Sequence, residues 1–403
     1  MNFSTATDAG VSSNQSHGKL NSTIAPTATI SHTEIKDHSK SAPKPTRSSK
    51  DVEIEEEIKR IKKNVQEINN RQLIRNENVF GPVGNDTRIF IVQVHRRLEN
   101  LRYLVESLGK VKGINESLVI LSHDFWDPTI NDFVGSITSF RVLQMFFPFS
   151  VQLYPNTFPG RGPQDCERNA KGVFEDLQIS KQWDGWIIFL EEDHFVAPDI
   201  LYVLNALVTS RTSLCFHCRV ICLGNYKPKL SSGVNMVGIG DWVVTKQNMG
   251  FAMDRSAWNS IKACGEIFCV FDDYNWDWTM NRLVQTCCFP KLTAMFVDVT
   301  RVVHVGSCGT HIKEARCDVS KAVMRAKALF WANRHFLFPK SFARLPFSMK
   351  LPPFKRPNGG WGDLRDRQLC KAIGNGTASE DTLLRLRFNP RPGRILQQSR
   401  EGR

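Results

Sequence analysis

An apolar run that ends in three consecutive acids constrains the fold of this chain more than any other feature. Residues 187–190 read IIFL, and Glu191, Glu192, Asp193 and His194 follow directly. Such a run predicts a strand buried in a parallel sheet, with the acids at its carboxyl end. Ligands of open α/β sheets bind at that end of the strands.

The acids themselves indicate a metal site. Three adjacent carboxylates repel one another unless a cation is bound. Carboxylate oxygens suit hard divalent ions such as Mn²⁺ or Mg²⁺. A solvated acidic loop is the alternative, but the structured sequence that follows, FVAP at 195–198, favours the metal.

Further apolar runs predict the rest of the sheet. We expect strands at 88–95, 118–121 and 151–154, besides the one at 187–190. Four apolar residues after the first strand recur at helical spacing: Leu101, Leu104, Val105 and Leu108. Strands that alternate with helices predict an α/β, Rossmann-like fold with a mostly parallel central sheet. No GxGxxG follows the first strand, which disfavours a dinucleotide-dependent oxidoreductase.

Charge and cysteine content narrow the class of protein. The formal net charge is +13, but the basic residues are dispersed and no nucleic-acid-binding motif is present, so we expect no nucleic acid partner. A positive surface also suits an anionic sugar nucleotide. The eleven cysteines lack the spacing of zinc sites and indicate disulfides in an oxidising compartment. No apolar run of transmembrane length is visible in the sequence.

Composition predicts four segments along the chain. Residues 1–50 are rich in Ser, Thr, Lys and Pro and should be disordered, and 373–403 should form a basic, mobile tail. Residues 51–84 should form a helical stem, and 85–372 the globular domain. The stem carries apolar residues at heptad spacing: Ile54, Ile58, Ile61, Val65 and Ile68. A helix packed on the domain and a self-associating stalk that joins copies into a homo-oligomer are both open.

Aromatic residues and acids are interleaved at 271–278, FDDYNWDW. Aromatic faces that pack on sugar CH groups, next to carboxylates that accept from hydroxyls, are typical of carbohydrate sites. The start of a core helix is the alternative. His304 follows another apolar strand, and a structural and a metal-ligating role are equally open for it from the residues alone.

Eight blocks, in order across about residues 85–372, resemble the Golgi N-acetylglucosaminyltransferase II family. They are QVHRRLENLRYLVESL, VILSHDFW, FFPFSVQLYPNTFPG, FLEEDHFVAPD, QNMGFAMDRSAW, FCVFDDYNWDWTMNRL, RVVHVGSCGTH and NGGWGDLRDRQLCK. The resemblance implies that 85–372 is a GT-A glycosyltransferase domain. It also implies inverting transfer of GlcNAc from UDP-GlcNAc to O2 of the α-1,6-linked mannose of an N-glycan on glycoproteins. The family's location implies the Golgi lumen, as a type II membrane protein.

The resemblance also implies residue roles. Asp193 and His304 would bind Mn²⁺, and Asp277 would be the catalytic base. The uridine end of the donor would be held by Gln93, Val94, His95, Arg96, Arg97 and Asp124. The implied disulfides are Cys215–Cys218, Cys264–Cys288, Cys269–Cys370 and Cys308–Cys317, which leave Cys166, Cys222 and Cys287.

Two stretches depart from the family pattern. The link at 167–182 is shorter than in the family and lacks its Lys/His/Trp-rich stretch, and 227–233 lacks an arginine expected near the donor. A non-catalytic relative that still binds glycan or nucleotide is therefore the alternative function.

Overall fold

The computed structural model describes residues 49–155, 157, 171–226, 235–271, 276–306, 318–350 and 364–387. Its strands are β1 Ile74–Arg75, β2 Ile89–Val94, β3 Leu118–His123, β4 Arg141–Phe146, β5 Ile187–Glu191, β6 His194–Val196, β7 Val220–Cys222, β8 Met236–Asp241, β9 Phe251–Met253, β10 Thr293–Val297, β11 Val302–His304 and β12 Ala343–Met349. Its helices are α1 Ser49–Arg71, α2 Glu77–Phe80, α3 Leu98–Leu108, α4 Pro128–Gly135, α5 Ile200–Leu214, α6 Val244–Gln247, α7 Arg255–Lys262, α8 Gly265–Val270, α9 Trp276–Thr286, α10 Val319–Ala332, α11 Leu364–Gly374 and α12 Glu380–Arg387.

Ten strands form one mixed sheet in the order β1-β4-β3-β2-β5-β9-β7-β10-β8-β12. The run β4-β3-β2-β5 is parallel throughout, which confirms the predicted strands at 88–95, 118–121 and 187–190. Beyond β5 the ladder is antiparallel on both sides of β9, and parallel pairs return at β7–β10 and β8–β12. The remaining two strands, β6 and β11, form a separate antiparallel pair.

Both faces of the sheet are covered by helices. Along β2, Phe90, Val92 and Val94 pack into one hydrophobic cluster, and Ile89 and Ile91 pack into another on the opposite face. Helices α3, α4 and α5 cover the first face, and α7, α8 and α9 cover the second. A strand buried on both faces must be apolar at successive positions, which explains the continuous runs in the sequence.

The predicted strand at 151–154 is wrong. Its place in the sheet is taken by β4, whereas the amides of Leu153 and Tyr154 both donate to the carbonyl of Ser150 and close a turn. Strand β4 begins at Arg141, which is buried and uses its guanidinium to bind backbone carbonyls such as that of Asn115 at 3.0 Å. A buried arginine at its start made this strand hard to recognise.

Helix α1 packs on the domain through one half of its apolar stripe. Ile61 and Val65 are buried against Phe146 and Leu153, whereas Ile54 near the start of the helix is 56% exposed. The alternative in which this helix packs on the globular domain therefore holds for the second half of the predicted heptad pattern. None of the helices that the structure describes is long and apolar enough to cross a bilayer.

The range predicted as a mobile tail contains a further helix, α12. Its Leu383 is buried against Leu369 of α11. The end of the short link at 167–182 is also ordered, because Phe174 is buried and stacks on Trp258 with ring centroids 5.5 Å apart.

Three disulfides are formed among the described cysteines. Cys215–Cys218 and Cys269–Cys370 match the implied pairs. Cys264 bonds Cys287 instead of the expected Cys288, whose sulfur lies 3.8 Å from that of Cys264. The expected pairing is thus wrong by one residue, because two adjacent cysteines compete for one partner. Cys308, Cys317 and Cys166 lie outside the described residues.

Candidate functional site

The carboxyl ends of β2, β3 and β5 meet at one edge of the sheet. Gln93 on β2 lies opposite Glu191 on β5, and Val94 lies opposite His123 on β3. The parallel register therefore brings the predicted donor segment beside the acidic run. This is the edge at which ligands bind in open α/β sheets.

The β6–β11 pair places the second candidate ligand. His304 on β11 lies opposite His194 on β6, and the amide of Val305 donates to the carbonyl of Asp193 at 2.8 Å. As a result Nε2 of His304 lies 3.1 Å from Oδ2 of Asp193. Two residues separated by more than a hundred positions thus meet at one point.

The segment before β11 is anchored by a buried ion pair. Nε of Arg301 donates to both carboxylate oxygens of Asp199, at 2.9 and 3.0 Å, and both side chains are fully buried. The NH2 group of Arg301 also donates to Oδ1 of Asn235 at 3.1 Å and to the carbonyl of Phe336 at 2.9 Å. Arg301 therefore ties three segments together three residues before His304.

The Asp193 carboxylate fits a divalent cation. Its Oδ1 is buried and bonds no other described residue, so one lone-pair direction is left for a ligand. Adjacent ligands of an octahedral ion lie about 3 Å apart when each is about 2.1 Å from the ion. The spacing between Oδ2 and Nε2 of His304 matches that value.

Gly306 leaves room beside this pair. A Cβ at Gly306 would lie 2.4 Å from Oδ2 of Asp193 and 2.9 Å from Cε1 of His304. Contacts below 3.0 Å are not tolerated by real Cβ atoms. Only glycine therefore keeps free the space beside Oδ2 of Asp193 and the His304 ring.

Two flanking residues enlarge the cluster. One ligand atom each from Glu191, Asp193 and His194 lie within 4.8 Å of one another. Nδ1 of His194 already accepts from the amide of Glu191 at 3.1 Å, so this ring nitrogen is occupied. Because Nδ1 accepts, the proton of the neutral ring lies on Nε2, which is buried without a partner among the described residues. A protonated nitrogen offers no lone pair to a metal, so His304 is the better placed imidazole.

The carboxylates and the imidazole at this edge of the sheet shift one another's pKa values. Burial and the Asp193 charge raise the pKa of Glu191 to about 7, and Asp277 adds to the rise. Burial opposes the ionisation of Asp193, but the hydrogen bond and charge of His304 lower the pKa of Asp193 overall. The bond with Asp193 in turn raises the pKa of His304. The negative charges of these carboxylates therefore favour binding of an additional cation beside them.

Asp277 lies in the first turn of α9 and reaches the same edge. Its Oδ1 accepts from the amide of Trp278 at 2.8 Å. The last residues of the interleaved segment, from Trp276 onward, thus begin a helix, which was the alternative interpretation, and the charge of Asp277 acts on Glu191. Trp276 and Gln93 line a small cavity together with Glu191. Residues 272–275 lie outside the described residues.

Tyr226 belongs to the site and was missed in the sequence. Its side chain is half exposed, and partial desolvation raises its pKa to about 12, with added contributions from the charges of Glu191, Asp277 and Asp193. Its phenol therefore lies near all three acids. Only its position four residues after β7 could have indicated this. The segment at 227–233 lies outside the described residues.

The predicted donor residues lie together, with different surroundings. Nδ1 of His95 pairs with Oδ1 of Asp124 at 2.7 Å, and the Arg96 guanidinium lies over the Phe125 ring at 4.3 Å. The Val94 side chain is fully buried in the core, so it can offer only its backbone to a ligand. Gln93 is partly buried beside Glu191. Their roles toward a donor stay predictions.

Arg97 faces the acids. Its Nε donates to Oε1 of Glu192 at 2.7 Å, and its NH1 group donates to Oδ2 of Asp193 at 2.6 Å. The other oxygen of Glu192 accepts from the amide of His95 at 2.7 Å. These bonds join the segment after β2 to the segment after β5.

Comparison with known proteins decides the family. A profile described as N-acetylglucosaminyltransferase II (MGAT2) matches residues 62–172 and 169–370. The chain belongs to this family. The matched ranges include every candidate residue described above.

Named relatives of the N-acetylglucosaminyltransferase II family are similar along most of their length. The mouse protein called alpha-1,6-mannosyl-glycoprotein 2-beta-N-acetylglucosaminyltransferase is 36% identical over 352 residues, which are 76% of this chain and 79% of that protein. The human protein of that name is 36% identical over 355 residues, with 76% and 78% covered. The Arabidopsis thaliana protein is 30% identical over 339 residues, with 73% and 76% covered.

Solved structures are more distant. The structure of S. aureus TarS 1–349 in complex with UDP-GlcNAc has a TM-score of 0.38 and 11% identity, and covers 60% of this chain and 66% of that one. A second TarS 1–349 structure has a TM-score of 0.36 and 10% identity, with 53% and 60% covered. A likeness at this level carries no conclusion about this chain.

Proposed function

We propose that this chain transfers GlcNAc from UDP-GlcNAc to O2 of the α-1,6-linked mannose of N-glycans, with inversion and with Mn²⁺ as cofactor, on a GT-A fold. The observation that carries the proposal is the meeting of Asp193 and His304 at 3.1 Å, beside Asp277, at the carboxyl edge of the sheet. The names of the relatives support the same donor sugar and acceptor.

The residue types suit a single displacement. The acceptor hydroxyl is weakly acidic, so a carboxylate must take its proton as the oxygen attacks the sugar carbon. Asp277 is our candidate for this base. Inversion needs one displacement, and hence no covalent nucleophile, by the same stereochemical logic as in inverting glycosidases.

The leaving diphosphate requires positive charge. Asp193 and His304 would hold a cation here, and that cation would supply the charge that offsets the developing anion. The chain adds the exposed His95 and Arg96 at the same edge. They are our candidates for donor binding, together with Gln93, Arg97 and Asp124. The backbone of Val94 completes this segment.

A Golgi lumen location is part of the proposal. Disulfides persist in oxidising compartments, and three of them are formed among the described cysteines. The type II membrane topology that the family implies and the self-association of the helical stem also remain proposals.

The decisive experiment is a transfer assay with UDP-GlcNAc and Mn²⁺. The acceptor is a mannose-terminated N-glycan that already carries GlcNAc on its α-1,3 arm. We expect one added GlcNAc in β-1,2 linkage on the α-1,6 mannose, lost on chelation. Binding of UDP-GlcNAc without transfer would instead favour the non-catalytic alternative.

A further inference from the structure

One oxygen of Asp193 is shared by the side chains of Arg97 and His304. Oδ2 accepts from NH1 of Arg97 at 2.6 Å and lies 3.1 Å from Nε2 of His304. Oδ1 of the same carboxylate is buried without a partner among the described residues. The charge on this buried carboxylate is therefore balanced through Oδ2 alone.

Glu192 fixes the orientation of the Arg97 side chain. Both of its oxygens are engaged, Oε1 by Nε of Arg97 and Oε2 by the amide of His95. The side chain of Glu192 is only 2% exposed, so it has little freedom. The guanidinium is planar and rigid, so fixing Nε also directs NH1 at Asp193. Glu192 thus acts through Arg97 and has no free oxygen for a metal.

A cation bound at Asp193 would compete with the ion pair between Arg97 and Asp193. A divalent ion needs oxygen lone pairs of the carboxylate, and Arg97 occupies the oxygen nearest His304. Two positive groups at one carboxylate oxygen repel each other, and the repulsion is strong where water is excluded. The guanidinium is 37% exposed, so it has room to move outward.

We propose that Arg97 is a positioning residue that neutralises and orients the Asp193 carboxylate while the cation is absent, and that cation binding at Oδ2 competes with this ion pair. The inference rests on the proposed metal site and adds to it. Arg97 stabilises the metal-free protein and weakens its affinity for the cation. The site thus keeps its shape without metal.

The test compares Mn²⁺ binding by the full chain and by Arg97→Met. Calorimetry with Mn²⁺ alone should show that Arg97→Met binds the ion roughly ten-fold tighter, because the variant lacks the repulsion between the Arg97 guanidinium and the cation. The metal-free melting temperature should fall by about 2–4 °C, and saturating Mn²⁺ should restore it. Neither readout depends on transfer activity.

Arg96→Met is the matched control. Its guanidinium lies over the Phe125 ring, 4.3 Å from the centroid, rather than against the acids. It should bind Mn²⁺ as the unaltered chain does and show no metal-dependent rescue. If Arg97→Met does not fold, Arg97→Lys carries the test, because Lys lacks the fork that aims the charge at Oδ2. It should bind Mn²⁺ tighter than the unaltered chain, by a smaller factor than expected for Met.

Equal or weaker Mn²⁺ binding by the Arg97 variant would overturn the inference while leaving the metal site intact. Tighter binding that Arg96→Met reproduces would also overturn it, since the effect would then be one of net charge. Absence of Mn²⁺ binding in every variant and in the unaltered chain would overturn the inference together with the proposed metal site.

Discussion

The space beside Oδ2 of the Asp193 carboxylate exists only because Gly306 has no side chain. A Cβ there would lie 2.4 Å from Oδ2. Two residues that follow different strands therefore define one small opening, and its size can be altered by a single methyl group.

Gly306→Ala should lower the affinity for Mn²⁺ by at least about ten-fold, because the methyl group occupies the space beside Asp193 and His304. Calorimetric titration of the folded variant measures this. Gly84→Ala is the control, since a Cβ at Gly84 meets nothing within 4 Å. Equal affinities in the two variants would show that the cation binds elsewhere.

Asp277→Asn should keep donor binding and lose most transfer. General base catalysis contributes about 10² to 10⁴ in rate, so kcat should fall by that factor while the affinity for UDP-GlcNAc changes little. Asp184→Asn is the control, because that side chain is 91% exposed. Unchanged turnover would make Asp277 a structural acid.

Asp199→Asn should destabilise the fold by about 3–5 kcal/mol, because it leaves the buried Arg301 guanidinium without its counter-charge. Denaturant unfolding of the folded variant measures the change. The solvent-exposed pair of Glu57 and Arg60 offers the contrast, and Glu57→Gln should leave the unfolding midpoint unchanged. Similar midpoints for both variants would contradict a stabilising role for the buried pair.

Cys287→Ser should redirect the disulfide of Cys264 to Cys288, whose sulfur is already 3.8 Å away. Burial raises the pKa of the Cys288 thiol to about 11, so this new bond should form slowly at neutral pH. Peptide mapping without reductant identifies the pair. Cys222→Ser should leave the map unaltered. Free thiols at both Cys264 and Cys288 after full oxidation would refute the expectation.

His123 should make the fold sensitive to acid. Burial lowers its pKa from 6.5 to about 3, so below pH 6.5 the unfolded chain binds a proton that the folded chain does not. This contribution to stability is lost as the pH falls from 6.5 toward 3. His123→Gln should therefore flatten the pH dependence of the unfolding free energy by about one proton in that range. Thr212→Gln, at an exposed position without a titratable side chain, should leave the slope unaltered.

The parallel half of the sheet was predictable, because a strand covered on both faces leaves a continuous apolar run. The run at 118–121 and the run at 187–190 are of this kind and become β3 and β5. Strand β4 was not predicted because it starts with a buried arginine, Arg141, whose guanidinium donates to carbonyls distant in sequence. Local alternation at 151–154 competed with it and was misread as a strand.

The candidate site was predictable in part. The acidic run indicated a cation from its chemistry alone, whereas the second candidate ligand, His304, and the candidate base, Asp277, came from family resemblance. Gly306 and Tyr226 gave no chemical signal in the sequence, since their importance follows from distances set by tertiary packing. The contacts of Arg97 with Glu192 and Asp193 likewise depend on the register between β2 and β5.

The short ladder between β6 and β11 has a consequence for how the chain reaches its native state. His304 pairs with His194, Val303 with Phe195 and Val302 with Val196. A slip by one residue would turn every side chain of β11 to the opposite face and carry the imidazole away from Asp193. At the proposed cation site, affinity would therefore report whether this ladder has formed in the correct register, and a bound ion would favour that register over the shifted one during folding.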